Sequence, residues 1–147
     1  MDGGRTMRIC GVELTGNEAV ICLLSLEDKQ FNLPDCRVRK LSLPKKHSQQ
    51  EMQKFQADFT QLMADYNINK VVIKERLTRG KFAGGAMSFK MEAAIQLIKG
   101  IQVRLMNAPE VKAALADNPL PVLFTDTGLR AFQQNAFTTA YAALVSQ

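Results

Sequence analysis

Two apolar stretches open the chain, residues 8–14 (RICGVEL) and 18–24 (EAVICLL), separated by Thr15-Gly16-Asn17. Apolar, partly β-branched runs joined by a Gly/Asn turn predict a β-hairpin. In residues 36–43, Val38, Lys40 and Ser42 alternate against Arg39, Leu41 and Leu43. That pattern, with basic residues and a nearby proline, predicts a more exposed strand at a sheet edge. The period then changes. Ser48 and Glu51 form a capping-box pair, and Met52, Phe55, Phe59, Leu62, Met63 and Tyr66 follow at helical spacing up to Asn67. Residues 70–74 (KVVIK) are a short β-branched run of the buried, parallel-sheet kind. Residues 86–99 predict a helix with Met87, Met91, Ala94, Ile95 and Ile98 inward, stopped by Gly100. A strand over 101–106, a short helix opened by Pro109 and running to 116, and a largely buried helix over 129–145 complete the order.

The elements therefore predict an α/β fold: a three-stranded antiparallel meander, then βα units whose crossovers require parallel pairing. The expected architecture is a mixed five-stranded sheet flanked by helices. Residues 1–6 are Gly-rich and polar and are expected to be a tail, with residues 7–147 forming one domain. A chain of 147 residues, 46% hydrophobic and 22% charged, can bury an ordinary core without staples.

No apolar run approaches the ~20 residues that span a bilayer, and no signal peptide precedes the first strand, so no membrane partner is expected. Cys10, Cys22 and Cys36 are odd in number, widely spaced and lack a CxxC pair, which argues against a disulfide framework or zinc site and for a reducing cytoplasm. The net charge of +5 and pI near 9.3 lean toward polyanionic partners, with the placement of the charge mattering more than its total.

Glu13 ends an otherwise apolar strand. If that strand is central, the carboxylate must be paired, hydrogen-bonded or bound to a cation; otherwise it faces water beyond the covered part. It also sits at the strand's C-terminal end, where open α/β sheets bind ligands. Glu75 ends residues 70–74 in the same way, and two carboxylates on adjacent strand ends are candidate ligands for a hard divalent cation such as Mg²⁺. The alternative for Glu75 is a surface ion pair with Lys74 or Arg76. The following loop interleaves Arg76, Arg79 and Lys81 with Gly80, Gly84 and Gly85. It is a candidate phosphate-binding segment, though it lacks the P-loop pattern GxxxxGK[ST], and a plain solvated loop fits the same residues. The single His47 and the lack of a paired Ser or Cys exclude a Ser-His or Cys-His catalytic pair.

Gly11-Val12-Glu13 followed by a turn and second strand, Val72-Ile73-Lys74-Glu75, and the ungapped run from Glu75 through Lys81 and Ala83 to Ala86-Met87-Ser88-Phe89 resemble the RuvC-type Holliday-junction resolvases of the ribonuclease-H-like class. The resemblance implies that fold, a nucleic-acid partner (DNA or RNA), and a Mg or Mn cofactor held by Glu13 and Glu75 as catalytic and metal-binding residues; a homodimer is a separate expectation. It also implies a degenerate acidic site. The family opens with an aspartate where Glu13 stands. It carries an Asp-x-x-Asp-Ala pattern at the start of its last helix, where this chain has Asn135 and Thr138. Two-metal hydrolysis needs several carboxylates. Asn135 remains a weak metal candidate through its carbonyl. Asp126 is another, with capping of the last helix as its ordinary role. The expected function is nucleic-acid binding, with a weak or lost divalent-metal nuclease activity. The alternative is a non-enzymatic interaction or regulatory module that keeps only the fold.

Overall fold

A computed structural model describes residues 6–80 and 84–146; residues 1–5 of the expected tail and the candidate Lys81 lie outside the described residues, while Thr6, expected in the tail, begins the first strand. The hairpin forms as its pattern predicts. β1 (Thr6–Thr15) and β2 (Glu18–Glu27) pair antiparallel over ten residues, with Glu13 level with Val20. The turn takes Gly16 at φ 59°, a left-handed conformation suited to glycine.

The strand predicted over residues 36–43 forms only at residues 40–42, and a short strand that the pattern did not predict precedes it. Asp28 and Lys29 both adopt positive φ (49° and 67°), which turns the chain back at once, so that β3 (Gln30–Asn32) pairs with one end of β2. β4 (Lys40–Ser42) pairs with the other end, Lys40 level with Val20. The sheet therefore has six strands rather than five, in the order β3-β2-β1-β5-β6 with β4 also on β2. β5 (Lys70–Lys74) lies parallel to β1 and β6 (Gln102–Met106) parallel to β5.

Helices cover both faces. α1 (Gln49–Asp65) and α2 (Ala86–Gln96) pack on one, around Cys10, Val12, Leu14, Val71 and Ile73. α3 (Ala108–Asp117) and α4 (Gln134–Val145) pack on the other, around Ile9, Cys22, Val72 and Met106. The two buried cysteines thus point to opposite faces and cannot bridge. Burial pushes both thiols up, that of Cys22 to about 12. Ser48 occupies the N-cap of α1, but its hydroxyl bonds the Glu51 carboxylate rather than a backbone amide. Asn107 forms a reciprocal capping box with Glu110 at α3. The last helix is shorter than predicted: a 3₁₀ turn, Ala131–Gln133, precedes α4. Among the described residues, no helix is long and apolar enough to cross a membrane.

The α4 layer approaches the sheet closely at Gly11. A Cβ there would overlap the carbonyl oxygen of Ala136 and lie 2.8 Å from the Cβ of Ala140. The absent side chain lets the α4 backbone rest directly on β1. Gln133 fixes the same end of the helix, its buried Nε2 donating to the Ile21 carbonyl at 2.9 Å. Because the obstacle at Gly11 is backbone, Gly11→Ala should destabilise the fold by about 2–3 kcal/mol, the usual scale of overpacking. Thermal melts should show Tm falling by roughly 5–10 °C for a domain of this size; an unchanged Tm would mean the helix can slide away without cost.

Candidate functional site

Residues on one face of a strand recur every second position. Gly11 faces α4, so Glu13 does too, and the approach at Gly11 brings the first turn of α4 over it. Asn135 Nδ2 donates to Glu13 Oε2 at 2.7 Å. From the parallel pairing of Val12 with Ile73, Lys74 of β5 stands level with Glu13 on the same face. Its Nζ lies 3.8 Å from the same carboxylate oxygen, with the Glu13 side chain only 16% exposed. Glu13, Lys74 and Asn135 thus form one polar cluster at the C-terminal edge of the sheet. A half-buried carboxylate requires compensation, and here it comes from an ammonium and an amide of the chain itself.

Glu75 is not in that cluster. It follows Lys74, and its amide still donates to the Met106 carbonyl in the ladder, at 2.8 Å. Alternation therefore sends its side chain toward α2, on the opposite face from Glu13. There it meets Glu92 of α2: burial, and then the charge of Glu75, raise the Glu92 carboxyl above the ordinary range. Glu92 Oε1 is buried without a hydrogen-bond partner among the described residues, so Glu92 does not lie on a fully solvated helix side.

Arg76 is turned inward. Its guanidinium donates to the Leu14 carbonyl, and Gly84 leaves room for it, since a Cβ there would sit 3.0 Å from Arg76 Cβ and Nε. It ties the loop to the end of β1. Arg79 is exposed, and Lys81 lies outside the described residues. Asp126 ends a separate 3₁₀ turn, Phe124–Asp126, and lines a cleft with Phe31 and Tyr141, not the cleft of Glu13. It does not cap α4. Thr138 directs its hydroxyl to the Asn135 carbonyl within its own helix, at 3.2 Å.

These side chains do not fit a two-metal centre. Glu13 pairs with Lys74 at 3.8 Å, Glu75 acts on Glu92 instead, and the last helix offers neutral groups. Among the described residues no group of three or more His, Cys, Asp or Glu is arranged to hold a metal ion. What the edge does carry is positive charge: Lys40 on β4 pairs level with Val20, the exposed Lys45 and Lys46 follow Leu43, whose amide bonds Asn17 in the β1–β2 turn, and Arg79 lies beyond β5. Lys74 and Lys40 were not apparent as site residues in the sequence. The pairing register of β1 with β5, and of β2 with β4, is what brings them to Glu13.

The comparisons with known proteins agree with this architecture. A family model described as "Protein of unknown function (DUF3010)" matches residues 7–143, and the chain belongs to that family. No curated protein matches it significantly in sequence. Among solved structures, Thermus thermophilus RuvC is similar with a TM-score of 0.72 at 11% identity, over 95% of this chain and 94% of that one. The T. thermophilus RuvC complex with a Holliday junction substrate gives 0.65 at 11% identity, over 95% and 93%. The Fowlpox virus resolvase bound to Holliday junction DNA gives 0.50 at 11% identity, over 95% and 99%. The chain has the ribonuclease-H-like fold.

Glu92 offers a test of the face assignment. A carboxyl whose folded pKa is raised costs stability when ionised, and that cost fades as pH falls from its folded value toward its unfolded one. Glu92→Gln should raise Tm at pH 7, and the gain should vanish by about pH 4, near the unfolded value. The gain should also shrink in a Glu75→Gln background; if the two effects are strictly additive, Glu75 does not face Glu92.

Proposed function

We propose that this DUF3010 protein binds nucleic acid through the C-terminal edge of its sheet, and that divalent-metal phosphodiester hydrolysis there is weak or lost. The observation that carries the reading is the Glu13–Lys74–Asn135 cluster, at the end of the central strand beside Lys40, with the exposed Lys45, Lys46 and Arg79 in the loops of the same sheet edge. In a nuclease site, the carboxylate at this position would bind a cation that contacts the phosphate. Here Lys74 supplies the positive charge, so a phosphate can be attracted without metal-activated water being generated. Support for the partner comes from the net charge of +5 and from the fold shared with resolvases solved on Holliday junction DNA.

The chemistry follows from the residues present. Ammonium and guanidinium groups at the edge position a phosphate backbone. Glu13 Oε2 accepts from Asn135 and pairs with the Lys74 ammonium at 3.8 Å. The second reading, an interaction module, has its own observation. Leu97 at the end of α2 is 74% exposed and borders a groove with Met52, Gln53 and Ala93 between α1 and α2.

Fluorescence anisotropy with branched, duplex and single-stranded probes across a salt series separates the two. The nucleic-acid reading predicts affinity that falls linearly with the logarithm of salt concentration. The double variant Arg79→Ala/Lys81→Ala should reduce that slope by about 2, roughly 1 per phosphate contact. Incubation with Mn²⁺ should give no cleavage above background. Absence of binding to every probe at low salt would favour the interaction module.

A further inference from the structure

Beside Glu13 the surface opens into a cleft of about 460 Å³ lined by Glu18, Lys40, Phe132, Gln134 and Asn135 as well as Glu13 itself. Phe132 is unusual among the described aromatic residues. Phe55, Phe59 and Phe137 are buried, whereas Phe132 is 45% exposed. Its backbone is nonetheless firmly held, because the next residue, Gln133, is buried and bonded to Ile21. The ring therefore stands as an exposed plane on a fixed support. Lys40 Nζ lies 5.6 Å from its centroid and 3.0 Å from Glu18 Oε2. The Lys40 side chain is half exposed (48%), so this surface pair is weakly held and the ammonium can swing to a new anion.

We propose that this cleft receives one unpaired nucleobase, stacked on Phe132; the inference rests on the nucleic-acid reading above and specifies its ligand. Each wall supplies one element of base recognition. An aromatic face stacks any base. The carboxylates of Glu13 and Glu18 accept from exocyclic amino groups, and the amides of Gln134 and Asn135 can donate or accept. Lys40 holds the adjoining phosphate. A base within a duplex presents no free face, so the ligand is single-stranded or contains a nucleotide displaced from its stack. Of the bases, those with an amino group fit the carboxylate wall better than thymine or uracil.

The test uses the full chain and two probes of one sequence, a single strand and its blunt duplex, each with 2-aminopurine at one position. Wild type should quench or shift 2-aminopurine emission in the single strand and bind it more tightly than the duplex at the same salt. Phe132→Ala should weaken single-strand binding about 5- to 150-fold, the range for losing one stacked base, with duplex affinity unchanged. Phe132→Tyr, which keeps the ring, should retain most of the affinity. Equal single-strand affinity of wild type and Phe132→Ala would overturn the base pocket and leave nucleic-acid binding standing, whereas absence of wild-type binding to both probes would overturn both. If Phe132→Ala fails to fold by circular dichroism, the wild-type emission and Phe132→Tyr decide: no emission change, or loss of affinity with tyrosine, refutes the pocket.

Discussion

The seating of α4 on β1 at Gly11 determines the geometry of everything at the sheet edge. A helix normally packs on a sheet through a layer of side chains; here the Ala136 carbonyl occupies space that any Cβ at Gly11 would need. The small residues Ala136, Ala140 and Ala143 continue the close contact along the helix. The consequence is local and chemical. With the helix this near, the first-turn side chain Asn135 reaches Glu13 directly, at hydrogen-bond distance. Gln133, bonded to Ile21, prevents the helix start from drifting, and Phe132 is held at the surface beside it. Packing, cluster and cleft are thus consequences of one missing side chain.

The same cluster explains how a strand-end carboxylate is kept in a largely covered position. Glu13 faces inward on the α4 side and needs positive charge or donors. A bound cation is one solution, and an ion pair with hydrogen bonds is another. Lys74, level with Glu13 on the neighbouring parallel strand, provides the second. Its ammonium is a compact charge, but unlike a metal ion it neither polarises a phosphoryl group nor generates hydroxide. With Glu75 on the other face beside Glu92, the carboxylates needed for metal-assisted hydrolysis are divided between the two sides of the sheet.

Much of this was legible in the amino-acid sequence. The hairpin, the buried strand at residues 70–74 and the helix spacings follow from apolar periodicity, and Glu13 stood out because an acid in an apolar strand needs a partner. Asn135 came forward through the resemblance to resolvases. Other features required the third dimension. The short strand at residues 30–32 was missed because Asp28 and Lys29 turn the chain in left-handed conformations without a glycine to signal them. Lys74 looked like an ordinary strand-end lysine until the register placed it beside Glu13. Alternation does place consecutive residues on opposite faces, so the separation of Glu75 from Glu13 was implicit once β5 was known to end in register with β1. Phe132 read as one more helical apolar residue, and only the 3₁₀ turn before α4 reveals it at the surface. Arg76 read as a phosphate ligand because nothing local signals its bond to Leu14, sixty-two positions away.

The claim that Lys74 stands in for a metal ion is tested most directly by Mn²⁺ titration followed by electron paramagnetic resonance. Wild type would be compared with Glu13→Gln and with the triple variant Lys74→Ala/Asn135→Asp/Thr138→Asp. Wild type should show no specific Mn²⁺ site, Glu13→Gln should be unchanged, and the triple variant should gain a site. Stoichiometric Mn²⁺ binding by wild type that Glu13→Gln abolishes would contradict the claim, because Glu13 would then exchange Lys74 for a metal.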